Sequence, residues 1–311
     1  MELEDIENIT VLGAGTMGHG IAEVAALAGY TVTLRDINEE LVSDGYEQIE
    51  WSLDKLAEKE RISEDARDAA IDRVSTAVDM AEAAGDADVV IEAIVEDMDI
   101  KREVYGELDE VAPADAIFAS NTSGLSITDL SEATDRPEQF CGMHFFNPPV
   151  RMELVEVISG AHTSEATMDA IYDLAESFDK TPVRVRKDEP GFIVNSILVP
   201  LMNEACWVVE DGTATVEEVD STTKYEMGLP MGAFELGDQV GNDVTLHVLE
   251  YMHEVLGDAY EPSPFLQRAV EEERYGQKTG EGFYDYEDGD GADVPMDEAD
   301  ETVKARLLAA L

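Results

Sequence analysis

Apolar residues recur along the chain with two different spacings, which predict strands and helices in alternation. Short apolar runs with a period of two are typical of strands, and runs with a period of 3.6 are typical of amphipathic helices. Strands are predicted at 6–12, 31–36, 87–91, 116–119, 139–144, 152–159 and 182–186. Helices are predicted at 16–29, 38–60, 96–111 and 164–178. Such alternation predicts an α/β domain with a doubly wound parallel sheet.

The strand pattern stops after residue 187, and only helical spacing follows. Helices are predicted at 190–210, 214–226, 234–256 and 263–275. This change predicts an α/β domain at 1–187 and a smaller all-helical domain at 188–286. Residues 287–311 form an acid-rich stretch that ends in a short amphipathic pattern, which we interpret as a solvated acidic tail.

The charge balance limits the partners of this protein. Of 311 residues, 71 are acidic and 20 basic, which gives a net charge of −51. Nucleic acid and anionic membrane surfaces are therefore poor partners. In molar salt the Debye length falls to roughly 3 Å, so such self-repulsion is screened. We predict a halophilic cytoplasm; the alternative is an acidic surface that serves solubility alone.

Cysteine usage and the apolar segments favour a cytoplasmic protein. Cys141 and Cys206 are far apart and form no Cys-x-x-Cys pair, which indicates neither a metal site nor a disulfide framework. The acidic N-terminus has the wrong charge for a secretory signal. The most apolar segment, 191–202, is too short to span a bilayer and contains Asn195 and Pro200. We therefore expect a soluble cytoplasmic protein without a membrane partner.

A glycine-rich turn follows the first predicted strand and opens the first predicted helix. The sequence Gly-Ala-Gly-Thr-Met-Gly at 13–18 has the spacing that lets a dinucleotide pyrophosphate approach the backbone at a helix N-terminus. Its binding residues are predicted to be Gly13, Gly15, Thr16, Met17 and Gly18. Asp36 ends the next predicted strand, where a carboxylate binds the ribose hydroxyls and repels a 2′-phosphate. NAD is thus favoured over NADP, although the neighbouring Arg35 weakens that preference.

A histidine and a glutamate stand on successive predicted strands. His144 ends one apolar run, and after an Asn-Pro-Pro break Glu156 lies on the apolar face of the next. A carboxylate there is costly unless it is paired, and a histidine held by such a carboxylate is a common general base. The alternative is a core histidine that is hydrogen-bonded only for packing.

Taken together, the ordered motifs resemble the L-3-hydroxyacyl-CoA dehydrogenase family, including its 3-hydroxybutyryl-CoA members. They cover about residues 6–286. The motifs are Gly-Ala-Gly-Thr-Met-Gly-His-Gly-Ile-Ala (13–22), Val-Ile-Glu-Ala-Ile-Val-Glu (90–96), Ser-Asn-Thr-Ser (120–123), His-Phe-Phe-Asn-Pro (144–148), Leu-Val-Glu-Val (154–157), Pro-Gly-Phe-Ile-Val-Asn (190–195), Pro-Met-Gly-Ala-Phe-Glu-Leu (230–236) and Lys-Thr-Gly-Glu-Gly-Phe-Tyr (278–284).

The resemblance implies an NAD-dependent, reversible oxidation of (S)-3-hydroxyacyl-CoA in β-oxidation or C4-CoA metabolism. It implies that His144 removes the hydroxyl proton while hydride leaves C3, and that Glu156 supports the imidazolium. Ser123 and Asn195 would hold the reacting oxygen and polarise the ketone in the reverse direction. Positions that contact NAD in the family are matched here by Glu96, Lys101, Ser123, Asn147 and Lys278.

The resemblance also implies the CoA site and the assembly. Ser52 and Lys59, seven residues apart on one face of a predicted helix, match CoA contacts, as does Ser123. A local ion pair is the alternative role of Lys59. The helical domain resembles a dimerising domain, which implies a homodimer. Two other functions stay open: a dehydrogenase of a 3-hydroxy acid without CoA, such as gulonate, and a non-catalytic, crystallin-like nucleotide-binding protein.

Overall fold

A computed structural model of the chain describes residues 1–286, and the predicted acidic tail lies outside them. The chain divides into two compact units, Met1–Phe192 and a second unit that begins at Ile193. The domain boundary was predicted five residues earlier, between residues 187 and 188. The structure shows why the two positions differ: Asp188 accepts hydrogen bonds from Ser126 and Thr128, and Phe192 packs in the core of the first unit.

The described residues of the first unit form one eight-stranded sheet with the order β3-β2-β1-β4-β5-β6-β7-β8. Its strands are β1 (Asn8–Leu12), β2 (Thr31–Arg35), β3 (Val74–Ala77), β4 (Val89–Glu92), β5 (Ile117–Ser120), β6 (Phe140–Phe145), β7 (Leu154–Ile158) and β8 (Thr181–Val185). The predicted α/β class with a doubly wound, mostly parallel sheet is confirmed. One pair of neighbours departs from the parallel arrangement, because β7 runs antiparallel to β6. The intervening residues, 146–153, are too few for the crossover that parallel neighbours need.

Helices cover both faces of this sheet. They are α1 (Thr16–Leu27), α2 (Glu39–Glu58), α3 (Glu64–Ile71), α4 (Met80–Ala84), α5 (Met98–Val111), α6 (Ile127–Ser131) and α7 (Glu165–Ser177). Alternate residues of β4 face opposite sides: Val89 and Ile91 pack in the cluster that contains α1, and Val90 packs in the cluster that contains α5. The central strands β4, β5 and β6 are therefore buried on both faces. In open sheets of this class, ligands bind at the carboxyl ends of the strands.

The second unit consists mainly of helices, and isolated antiparallel β-bridges join Gly276 to Glu281 and Glu281 to Asp285 near the end of the described residues. Its helices are α8 (Val194–Glu210), α9 (Val216–Tyr225), α10 (Ala233–Val240), α11 (Asn242–Leu256) and α12 (Pro264–Glu271). The single helix predicted at 234–256 is wrong, because Gly241 separates α10 from α11 with a φ of 107°, which glycine adopts without strain. Met202, Phe234 and Leu249 lie in the apolar core of this unit.

Within residues 1–286, no helix is both long enough and apolar enough to cross a bilayer. The same residues contain no group of histidine, cysteine or carboxylate side chains arranged to hold a metal ion. Both cysteines are free and buried. Burial raises the pKa of the Cys141 thiol to about 12, so this thiol stays protonated at neutral pH.

Candidate active site

The glycine loop connects β1 to α1 in the conformation that its sequence predicts. Gly13 has a φ of 97°, and a Cβ on it would lie 2.5 Å from the carbonyl oxygen of Ala93. A Cβ on Gly18 would lie 1.7 Å from the carbonyl oxygen of Gly13, so these two positions exclude any side chain. A Cβ on Gly15, in contrast, would meet no atom within 4 Å. The backbone of the loop therefore packs against its neighbours at Gly13 and Gly18, and the space beside Gly15 is open.

Asp36 follows β2 and faces this loop. Its carboxylate accepts hydrogen bonds from the backbone N–H of Ala14 (2.7 Å) and of Ile37 (2.7 Å). The neighbouring Arg35 donates through Nε to the carbonyl oxygen of Val78 (3.0 Å), which ties its guanidinium to the segment after β3. The carboxylate rather than the guanidinium therefore lies beside the loop, an arrangement that disfavours a 2′-phosphate.

These residues fit a dinucleotide. Gly15 is the N-cap of α1, so no side chain caps the first turn, which contains Thr16, Met17 and Gly18. The N–H groups of a first helical turn and the helix dipole bind phosphate when nothing else occupies them. The open space at Gly15 admits a pyrophosphate, and Asp36 is the carboxylate available for the ribose hydroxyls.

The His144–Glu156 pair forms as the strand pattern predicts. The two residues are direct partners across the antiparallel pairing of β6 and β7. The Nδ1 atom of His144 lies 2.8 Å from Oε2 of Glu156, and the two residues are 6% and 0% exposed. The rings of Phe146 and Phe192 flank the imidazole, with centroids 4.5 and 6.0 Å away. Because Nδ1 faces a carboxylate, Nδ1 is the nitrogen that carries hydrogen, and Nε2 retains the lone pair of a base.

The loop after β5 places Ser123 near this strand end. The side-chain oxygen of Asn121 accepts a hydrogen bond from the backbone N–H of Phe145 (2.8 Å), one residue after His144. Ser123 donates to Oε1 of Glu96 through its backbone N–H (2.9 Å) and its hydroxyl (3.1 Å). Ser123 and Glu96 are thus brought together, although they lie on loops that follow different strands.

Glu96 lies next to a buried lysine. The ammonium of Lys101 is 3.3 Å from Oε2 of Glu96, and it also bonds to Glu92. Burial by itself would raise the pKa of Glu96, but the charge of Lys101 and the hydrogen bonds from Thr122 and Ser123 outweigh burial and lower this pKa. Glu96 is therefore ionised at neutral pH and acts as a hydrogen-bond acceptor.

The Asn-Pro-Pro turn after β6 contacts α1, the helix that follows the glycine loop. A Cβ on Gly20 of α1 would lie 2.9 Å from Cδ of Pro149, so the turn packs directly on the helix backbone. Lys180 donates hydrogen bonds to the carbonyl oxygens of Pro149 (2.7 Å) and Met152 (3.0 Å), which fix the conformation of this turn. Asn147, at the start of the turn, is exposed. Lys180 was not predicted, because its position before β8 has no local motif.

The predicted CoA residues lie on α2 and at its end. Ser52 donates to the carboxylate of Glu23 on α1 (2.9 Å), and burial raises the pKa of Glu23 to about 7 although the Ser52 bond opposes the rise. Lys59 is the exposed C-cap of α2, and no ion pair of the described residues includes it. Lys55 pairs with Glu58 instead (2.6 Å), so the alternative role of Lys59 in a local ion pair is not observed.

Two predicted site residues belong to the second unit. Asn195 lies in the first turn of α8. The ammonium of Lys278 lies 2.6 Å from Oδ1 of Asp243, within the same unit. The roles assigned to both residues stay predictions.

Profiles of two known domains match the chain in succession. The NAD-binding domain of 3-hydroxyacyl-CoA dehydrogenase matches residues 8–189, and the C-terminal domain of the same enzyme matches residues 191–286. The chain belongs to the 3-hydroxyacyl-CoA dehydrogenase family. The predicted family, the NAD cofactor and the activity of an NAD-dependent 3-hydroxyacyl-CoA dehydrogenase are thereby confirmed.

Relatives of this dehydrogenase span nearly its whole length. The mitochondrial hydroxyacyl-coenzyme A dehydrogenase of Sus scrofa is 42% identical over 90% of this chain and 91% of its own. A probable 3-hydroxybutyryl-CoA dehydrogenase of Bacillus subtilis is 44% identical over 91% of this chain and 99% of its own. The crystal structure of the (S)-3-hydroxybutyryl-CoA dehydrogenase of Ralstonia eutropha superimposes with a TM-score of 0.86 at 38% identity, covering 90% and 99% of the two chains.

Proposed function

We propose that this dehydrogenase interconverts (S)-3-hydroxyacyl-CoA and 3-oxoacyl-CoA thioesters with His144 as the general base. The observation that carries the proposal is the buried hydrogen bond between His144 and Glu156, on strands whose ends adjoin the loop of Ser123. Bound NAD supplies the acceptor for the hydride that leaves C3. The names of the relatives, several of them 3-hydroxybutyryl-CoA dehydrogenases, support a thioester substrate.

His144 takes the proton in the oxidation direction. Its Nε2 lone pair accepts the proton of the 3-hydroxyl group as the C3–O bond becomes a carbonyl, and the ring becomes an imidazolium. Glu156 accepts the Nδ1 proton in a hydrogen bond, which fixes the tautomer and lowers the energy of the imidazolium. In the reverse direction the same nitrogen returns the proton to the oxygen. Glu156 is thus a supporting residue and not the base.

Ser123 and Asn195 are proposed to hold the reacting oxygen. Donors aimed at an oxygen on which charge develops lower the barrier most when they are held in place before the reaction. The hydroxyl of Ser123 donates to Glu96 in the described structure, so it must exchange this partner to donate to a ketone. Ser123 is also proposed to contact CoA and NAD.

NAD is proposed to lie along the glycine loop, with its ribose at Asp36. Glu96, Lys101, Asn147 and Lys278 are the further residues that we propose to hold it. Ser52 and Lys59 are proposed to bind CoA; the exposed ammonium of Lys59 is free to meet a phosphate. The open space at Gly15 and the uncapped first turn of α1 support the proposed position of NAD.

We further propose a homodimer that works in a high-salt cytoplasm, in β-oxidation or C4-CoA metabolism. Exposed apolar side chains on the second unit, among them Ile197, Tyr225 and Met227, support association with a second copy. The net charge of −51 supports a solvent in which exposed charges are screened. Free, buried thiols support a reducing compartment.

A substrate comparison in molar potassium chloride tests the thioester assignment. Acetoacetyl-CoA and free acetoacetate are offered with NADH, and gulonate is offered with NAD. We expect turnover with acetoacetyl-CoA and a kcat/KM at least about 100-fold lower for the two free acids, because binding energy from the CoA part is used in the transition state. Equal turnover of free acetoacetate would show that CoA is not recognised, and no turnover of the thioester would refute the proposal.

A further inference from the structure

Glu92 is a buried carboxylate at the end of β4 that has no part in the chemistry described so far. The side chain is fully buried and accepts four hydrogen bonds from three parts of the fold. The donors are Lys101 Nζ on α5, Tyr105 OH on α5 (3.2 Å), Ile94 N after β4 (2.8 Å) and Ser120 Oγ at the end of β5 (2.7 Å). One carboxylate thus joins α5 to the loops that follow two adjacent strands.

Glu92 also balances a buried charge. The side chain of Lys101 is 1% exposed, and a buried ammonium is strongly destabilised unless carboxylates compensate it. Glu92 is fully buried beside the ammonium, whereas Glu96 lies 3.3 Å from it and is partly exposed. Glu92 thus lies beside the ammonium as the fully buried carboxylate, while Oε1 of Glu96 accepts hydrogen bonds from Thr122 and Ser123.

Two routes of contact lead from Glu92 to Ser123. The first runs through Lys101 to Glu96, whose Oε1 accepts from the hydroxyl of Thr122 (2.6 Å) and from Ser123. The second runs through Ser120, which lies three residues before Ser123 at the end of β5. Glu92 is therefore connected by hydrogen bonds and ion pairs to both ends of the segment 120–123.

We propose that Glu92 is a positioning residue that sets Lys101, Glu96 and Ser123 in place for binding of the nicotinamide cofactor. The inference rests on the roles proposed above for those three residues. Glu92 touches neither cofactor nor substrate; it acts through Lys101 and Ser120. A merely structural carboxylate would contribute stability alone, and its loss would leave cofactor affinity unchanged in the folded protein.

Dissociation constants for NADH, measured by nicotinamide fluorescence in molar potassium chloride, test the proposal. Glu92→Gln keeps the length of the side chain and removes its charge. The matched control is Asp109→Asn, which removes a carboxylate from another largely buried ion pair of α5, with Arg136 (2.5 Å). Melting temperatures of both variants are measured alongside, so that loss of stability is separated from loss of affinity.

We expect Glu92→Gln to weaken NADH binding by about tenfold or more, since a tenfold change in affinity corresponds to the loss of about one hydrogen bond to a charged group. Glu92→Asp keeps the charge, and we expect its NADH dissociation constant to lie between those of Glu92→Gln and the wild type. Asp109→Asn is expected to lower the melting temperature while its NADH dissociation constant stays within about twofold of the wild type. An unchanged dissociation constant in Glu92→Gln, or an equal loss in Asp109→Asn, would overturn the proposal.

Ser120→Ala provides the milder test if Glu92→Gln does not fold. It removes one donor to Glu92, together with the acceptor of the Thr122 backbone N–H (3.3 Å), and it keeps both buried charges. We expect about threefold weaker NADH binding from the loss of these hydrogen bonds. Unchanged binding would overturn the proposal. Wild-type turnover of acetoacetyl-CoA is recorded in parallel. Its absence would refute the thioester assignment and leave the NADH comparison intact, because cofactor affinity is measured without the thioester.

Discussion

Replacing Glu23 by glutamine is expected to make the folded protein more stable above neutral pH and to remove part of its pH dependence. Glu23 lies on α1, is 1% exposed, and receives a hydrogen bond from Ser52 on α2. Glutamine has almost the same shape and can accept the same hydrogen bond, but it never ionises. The substitution therefore isolates the cost of a buried charge between two helices of the first unit.

The magnitude follows from the pKa of Glu23, which burial raises from 4.5 to about 7. Below pH 4.5 Glu23 is protonated in both the folded and the unfolded state, so it does not lower the free energy of unfolding. Between pH 4.5 and 7 the folded state keeps a proton that the unfolded state has released, so the free energy of unfolding falls by about 1.4 kcal/mol per pH unit. The loss sums to about 3 kcal/mol and is complete above pH 7.

Urea denaturation at pH 5 and pH 8, in molar potassium chloride, measures this difference. We expect Glu23→Gln to exceed the wild type in the free energy of unfolding by about 3 kcal/mol at pH 8 and by less than about 1 kcal/mol at pH 5. Ser52→Ala serves as a control, because it removes the hydrogen bond and leaves the ionisable group in place. A difference between variant and wild type that is the same at both pH values would refute the reasoning.

Three further predictions concern the site and the solvent. His144→Gln should lower turnover by roughly 10²–10⁴ while NADH affinity is retained, and comparable turnover would identify another base. Asp36→Ala should shift the ratio of kcat/KM values from NAD toward NADP, whereas an unchanged ratio would count against Asp36 as the ribose ligand. The melting temperature should rise from low salt to molar potassium chloride because the repulsion of a net charge of −51 is screened, and equal values would remove the halophilic interpretation.

Local pattern determined much of this fold. Seven of the eight strands in the described sheet, and the glycine loop at 13–18, were predicted because each depends on the spacing of near neighbours. The strand β3 was missed because it has only four residues, and Ser75 and Thr76 between its buried ends are exposed. The break at Gly241 was missed because apolar periodicity continues across it.

The candidate site was predicted in part. His144 and Glu156 could be paired from the sequence because both stand on apolar strand faces separated by a short break. Two contacts around the site could not be predicted from the sequence. Asn121 links the Ser123 loop to β6, and Lys180 holds the Asn-Pro-Pro turn, each by a hydrogen bond to a backbone atom far away in the chain. Such contacts leave no periodic trace.

The sequence by itself determined the class of fold, the cofactor loop and the His–Glu pair, since all three arise from spacing within one or two elements. Only the tertiary structure decided that β7 runs antiparallel, that Lys101 is buried, and that Glu92 joins α5 to two loops. The reason is physical. Burial of a charge and the choice of its partners depend on which segments the sheet order brings together, and that order is a property of the whole packed domain.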